Sequence, residues 1–206
     1  MDAEAFWSLK RTTAPQVVFE TIVPTLPVKL PSLTVARPVN VHILGAGGGV
    51  WATQLVDGRT HVTPGSASNA ICQVAFDKRH LREIVGGALR DRGLTIMARL
   101  GRARQLPDLS RLAFDPVKAV RCADLVGSVA INVHDRALGD TYRYVITFGT
   151  GAPDYDTATT TLTIDADEAI EWIVNRVSPK QLLKAKGVRI EGDLSLPLKA
   201  LQQLLD

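Results

Sequence analysis

The chain has 206 residues, with hydrophobic residues at 46% and charged residues at 22%. That is ordinary globular usage and excludes a disordered tail, a collagen-like rod and a long coiled coil. Lys and Arg total 24 against 21 Asp and Glu, scattered instead of gathered into the runs that track a phosphate backbone, so nucleic-acid binding is not expected. Cys72 and Cys122, the only cysteines, form neither a disulfide framework nor a C-x-x-C pair and are read as reduced, buried thiols. Residues 1–10 carry no secretory signal and no run of about 18 apolar residues follows, so the expected compartment is the cytoplasm, without membrane insertion.

From the N-terminus, Ala14 to Val23 reads as a short helix with Pro15 in its first turn, where no amide donor is needed; Pro24, Pro27 and Pro31 forbid its continuation. From Pro38 the pattern changes to short antiparallel strands: 39–43, a glycine cluster at 45–49, 51–56, a turn at Asp57-Gly58, and 59–62. Residues 71–76 form another strand, and Asp77 opens a helix whose apolar positions Leu81, Ile84, Val85, Ala88 and Leu89 share one face. Residues 93–100 read as a further strand, followed by a leucine-spaced helix at 106–112 and a helix at 115–120 capped by Asp115.

The second half repeats this order. Val39-Asn40-Val41-His42 recurs as Ile131-Asn132-Val133-His134, and the 50–58 segment recurs at 141–149, a shift of 91 or 92 residues. Asp77 corresponds to Asp165 at a shift of 88, pairing Leu81 with Ala169, Ile84 with Trp172, Val85 with Ile173 and Leu89 with Val177. Asp165 and Glu168 have the spacing of a capping box, which assigns these acids to helix initiation instead of paired-acid catalysis. Gly93–Leu100 aligns with Gly187–Leu194, and both lead into a helix, the second through Leu198, Leu201, Leu204 and Leu205. The domain reading is a lead-in over 1–37, a first unit over 38–114 and a second over 115–206.

Thr161–Asp165, Val177–Leu183 and Gly187–Asp193, in that order, resemble the sterol carrier protein 2 family of lipid-binding domains. Arg176 or Val177 stands where the family commonly has glycine, while Gly187, Gly192 and Asp193 keep its spacing. The first unit resembles a diverged copy that lacks the Ser178-Pro179 segment and has Ala98-Arg99 for the Gly-Asp pair. The resemblance covers residues 39–112 and 129–205. It implies an α+β fold of two tandem sterol-carrier-like units, each a mainly antiparallel twisted sheet with helices packed on one face. It also implies non-enzymatic carriage of a fatty acyl, sterol or quinone-like lipid in an apolar tunnel. Within the second unit, Phe148, Trp172, Ile173, Leu182, Leu183, Leu194, Leu198 and Leu201 are the residues expected to line it; Trp51, Tyr142 and Tyr144 are weaker candidates.

Other chemistry has less to stand on. Gly45–Gly49 fails the G-x-G-x-x-G spacing because residue 50 is Val, and Asp57 comes too early for a ribose acid, so a hairpin is expected there. Asn40, His42 and His134 are assigned to the solvent side of a one-sided sheet, without a metal or catalytic role. No nucleophile elbow, H-E-x-x-H helix or P-loop occurs, and no cofactor is expected. The rival to carriage is an interaction or dimerisation module with a filled core; an enzyme acting on a hydrophobic metabolite is a third reading.

Overall fold

The computed structural model describes residues 3–26, 37–99, 101, 122–149, 151–175 and 187–205. Two helical segments open the chain: α1 (Ala3–Trp7), then α2 (Pro15–Val17), which continues through a π turn (Val18–Ile22) and a 3-10 turn (Val23–Thr25). Pro15 stands in the first turn of α2, as its missing amide allows. Strands β1 (Val39–Leu44), β2 (Gly49–Val56), β3 (Arg59–Pro64) and β4 (Cys72–Asp77) follow, then α3 (Lys78–Gly86) and α4 (Ala88–Arg99). Beyond a 3-10 turn at Cys122–Asp124 come β5 (Gly127–Asp135), β6 (Asp140–Phe148), β7 (Thr160–Asp165), α5 (Ala166–Asn175), β8 (Arg189–Gly192) and α6 (Ser195–Leu205). Asp77 starts α3 as expected, its carboxylate accepting the Arg79 amide at 2.7 Å.

The eight strands among the described residues form one open sheet in the order β3-β2-β1-β4-β6-β5-β7-β8. The glycine cluster is the β1–β2 hairpin, closed by Ile43 opposite Gly49; the β5–β6 hairpin closes with Asp135 opposite Asp140. In each half the hairpin's first strand also pairs in parallel with the strand that precedes a helix, β1 with β4 and β5 with β7. The sequence reading places a separate sheet in each unit. Instead, β4 and β6 pair antiparallel from Cys72 opposite Phe148 to Phe76 opposite Tyr144, and the halves share one sheet.

A second correction concerns 93–100. This segment belongs to α4 through Arg99 and is no strand. Leu94, Ile96 and Ala98 alternate as a strand would, but α4 instead packs between α3 and α5, burying Ile96. The helices expected at 106–112 and 115–120, and the unit boundary near 112–115, lie outside the described residues.

Among the described residues, the helices whose side chains contribute to the core pack on one face of the sheet. Val41, Ile43, Trp51 and Phe76 meet Val18, Phe19 and Ile22 of the N-terminal segment and Leu81 and Val85 of α3. Phe19 stacks on Trp51 at 4.8 Å, and Trp51 Nε1 donates to Glu20 Oε1 at 2.9 Å. Gly86 permits a close chain approach: a Cβ there would lie 2.3 Å from the Arg11 amide nitrogen.

The opposite face carries a further correction. Asn40 and His42 do point away from Val39 and Val41, but Asn40 is buried, clamping Ala67 through bonds of 3.1 and 2.9 Å to its carbonyl and amide. Ala75, Val145 and Ala130, in register across β4, β6 and β5, are also fully buried on this side. Residues 151–159 lie over it: the Arg143 and Tyr155 side chains each donate to the other's carbonyl, and Gln73 donates to the Gly151 carbonyl. Small residues in mid-sheet admit these covering loops, so the sheet is not one-sided. His134 is exposed, as expected.

Trp51→Ala is expected to cost about 3–5 kcal/mol, because it removes the ring on which the N-terminal segment is seated. Urea unfolding of the full chain measures this.

Candidate functional site

The two ends of the sheet differ in chemistry. At the end where β4 and β5 begin and β6 ends, Phe148 packs with Cys72, Val129, Leu125 and Cys122, closed over by Leu196 and Ala200 of α6. Two of the motif residues, Gly192 and Asp193, lie at this end. Gly192 has φ +95, and a Cβ on it would lie 2.3 Å from the Thr159 carbonyl oxygen; Asp193 starts α6, its carboxylate accepting the Ser195 amide at 2.8 Å and hydroxyl at 2.7 Å. These bonds hold the Asp193 carboxyl below its usual pKa.

α6 is apolar on more than one side. Leu196 and Ala200 turn inward, whereas Leu194 and Leu198 are 46% and 48% exposed; Val126, just before β5, is 79% exposed. Of the eight candidate lining residues, Phe148 is thus a buried member of the cluster, Leu198 is on the surface of α6 and Leu194 is exposed just before it. Trp172 and Ile173 stand on α5 and Leu201 on α6, their side chains outside the description; Leu182 and Leu183 lie outside the described residues. Burial pushes the Cys72 thiol up to about 12, with the neighbouring Cys122 adding to it, and burial raises Cys122 as well. Both are protonated at neutral pH and are poor nucleophiles there.

The other end of the sheet is polar. Asp135, in phase with Val129, Ile131 and Val133 on the helix-covered face, pairs through Oδ1 with Arg92 of α4 at 2.8 Å and accepts the Ala137 and Leu138 amides. Glu83 of α3 accepts the Ala88 amide at 2.9 Å and pairs with Arg11. His80 of α3 packs edge-on to Tyr142 at 5.3 Å. A cleft of about 230 Å³ opens at the β5–β6 tip among Asp135, Arg136, Asp140 and Asp165, with Arg136 bonded to Asp165 at 2.9 Å. A second, of about 180 Å³, lies on the opposite face between Gln54, His61 and Ala67.

The acids at the start of α5 are in structural use: Asp165 accepts the Asp167 amide at 3.1 Å, and Asp167 pairs with Arg92 at 3.4 Å. The expected return bond from Glu168 is not seen among the described residues; its carboxylate lies where a Cβ on Gly187 would be. His42 bonds to Gln73 Oε1 at 2.7 Å. Among the described residues no group of three or more His, Cys, Asp or Glu is arranged to hold a metal ion, and no helix is long and apolar enough to cross a membrane.

Of the cluster formed by buried His80, Asp135 and Tyr142 with half-buried Arg92, the sequence-based candidates include Tyr142 alone, and that as a weaker apolar lining residue. Its signal was a charged residue in step with the apolar face of β5, and a tyrosine in step with Tyr144, Ile146 and Phe148 on β6.

No family model and no curated protein matches the chain. Among solved structures, apo sterol carrier protein 2 from Yarrowia lipolytica is similar at 15% identity, covering 35% of this chain and 67% of that one, with a TM-score of 0.29. Sterol carrier protein 2 like 2 from Aedes aegypti is similar at 15% identity over 56% of this chain and 98% of that one, TM-score 0.31. Sterol carrier protein domain 2 of Helicoverpa armigera is similar at 19% identity over 39% and 67%, TM-score 0.28.

His80 has its pKa lowered from the ordinary 6.5, first by burial and then by the Arg79 charge; burial lowers that of His42 too. The folded protein thus favours the neutral rings, and the unfolded chain takes up protons first as pH falls. Stability is expected to be full above about pH 6.5 and to decline below it, with His80→Asn removing part of the slope and leaving the His42 share. Thermal melts across pH check this.

Proposed function

We propose that the protein binds a hydrophobic small molecule, a fatty acyl, sterol or quinone-like lipid, without chemical conversion, at the apolar end of the sheet under α6. The observation that carries this reading is the exposure of Leu194 and Leu198 beside the buried Phe148 cluster. Apolar side chains held open next to an apolar interior favour a ligand with hydrocarbon to shield from water. The sequence pattern of Gly192 and Asp193 supports it, since Gly192 ends β8 tight against Thr159 and Asp193 starts α6. On this reading the halves are copies of one unit, the first diverged, as the shared pairing of β1-β2-β4 and β5-β6-β7 suggests, and no metal or cofactor takes part.

A second reading, an interaction or dimerisation module, is favoured by the filling of the Phe148 cluster by Leu196 and Ala200. The same exposed leucines would then meet protein.

Native mass spectrometry of the purified chain, followed by solvent extraction, separates the two readings. Carriage predicts an extractable lipid at near one per chain, whereas a concentration-dependent dimer with no adduct and no displacement of a fluorescent fatty acid would reject it. Leu198→Asp should weaken fatty-acid uptake by about tenfold while changing stability by only about 0.5 kcal/mol, because the site is half exposed. Uptake unchanged in this variant would remove α6 from the binding surface.

A further inference from the structure

Among the described residues five buried side-chain polar atoms lack a hydrogen-bond partner; besides Glu83 Oε1, whose carboxylate is ion-paired with Arg11, and Glu168 Oε2, these are the Tyr142 hydroxyl, Asp135 Oδ2 and His80 Nε2. These last three belong to adjoining elements. The Tyr142 and His80 rings are 5.3 Å apart. Tyr142 opposes Val133 and Asp135 opposes Asp140, which makes Tyr142 and Asp135 diagonal neighbours on one face of the β5–β6 ladder. Residue by residue, Asp135 and Tyr142 are 1% and 2% exposed, and His80 is 1% exposed.

None of the three is free to seek a partner elsewhere. The Arg143 carbonyl oxygen can only accept, so His80 Nδ1 donates to it at 3.1 Å and Nε2 is left as an acceptor. Asp135 is fixed by Arg92 and two turn amides on Oδ1, leaving Oδ2 as a second acceptor. Tyr142 supplies a donor. The local charges are already matched, Asp135 by Arg92 and Glu83 by Arg11, so a further ion would be uncompensated. Buried polar groups are otherwise met by protein or by ordered water.

We propose that Tyr142, Asp135 and His80 form an internal binding site for a neutral hydroxyl group, which accepts from the Tyr142 hydroxyl and donates to Asp135 Oδ2 or His80 Nε2. Water is one source of that group, and the hydroxyl of a long apolar alcohol is the other. The second source rests on the carriage reading: Tyr142 and Phe148 lie on the same face of β6, six residues or roughly 20 Å apart, so an extended chain could reach from this site toward the apolar cluster.

A crystal structure of the full chain and melts of Tyr142→Phe test the site. The expected structure has an oxygen within about 3.2 Å of Tyr142 Oη and also in reach of Asp135 Oδ2 or His80 Nε2. The expected Tm of Tyr142→Phe is lower by about 2–4 °C. A Tyr142 hydroxyl bonded directly to a protein acceptor, or a variant melting at or above the wild-type temperature, overturns the proposal. Hexadecanol and palmitate, competed against a fluorescent fatty acid, identify the source. At least threefold tighter binding of the alcohol, levelled by Tyr142→Phe, assigns the site to the ligand, and equal binding assigns it to water. If neither lipid binds, the carriage reading fails, while the crystal structure and melts still decide the hydroxyl site.

Discussion

The antiparallel pairing of β4 with β6 is the contact on which the rest of the architecture depends. Each half on its own would present a strand edge, β4 in the first and β6 in the second, with open amide and carbonyl groups in the middle of an apolar surface. Pairing satisfies both edges. It also brings Cys72 beside Phe148 and Phe76 beside Tyr144, so that the apolar clusters on either side of the seam become continuous through Val74. The two loops on the opposite face, from the first and second halves, can then lie over the small residues of the same central strands.

Local chemistry made a good part of this fold readable in advance. Gly45–Gly49, Asp57-Gly58 and 136–140 are hairpin tips because their neighbours alternate, and Asp77 starts α3 with the bond its position promised. The same kind of reading failed at 93–100, where Leu94, Ile96 and Ala98 fit either period and burial between α3 and α5 settled the matter. The β4–β6 seam joins residues about 70 apart and leaves no mark in either strand. Asn40 was legible as polar and on the second face, but its burial depends on Ala67, which arrives from a loop beyond two more strands.

The candidate site was legible in the same uneven way. Gly192 and Asp193 were found by pattern, and the structure gives each a reason: a left-handed backbone turn tight against Thr159, and the start of α6. Phe148 and Leu198 both lie at the apolar end, yet one is inside and the other outside, a distinction that depends on which face of α6 meets the sheet. The polar end was legible only in Tyr142, read as an apolar lining residue, because its members come from α3, α4, β5 and β6, each unremarkable in its own segment.

The strand order has one more consequence. The sets β2-β1-β4 and β6-β5-β7 follow one another with the same order and directions, so each set offers the next a place to add at its last strand. That place is free on β4, where the second set attaches, but on β7 it is taken by β8, and at the other margin β3 already covers β2. β8 is only four residues long and alternates Arg189 with Glu191, while β3 ends in Pro64. Among the described residues these two strands terminate the series: a sheet whose internal logic permits indefinite extension stops at two sets, with margins ill suited to recruiting another chain.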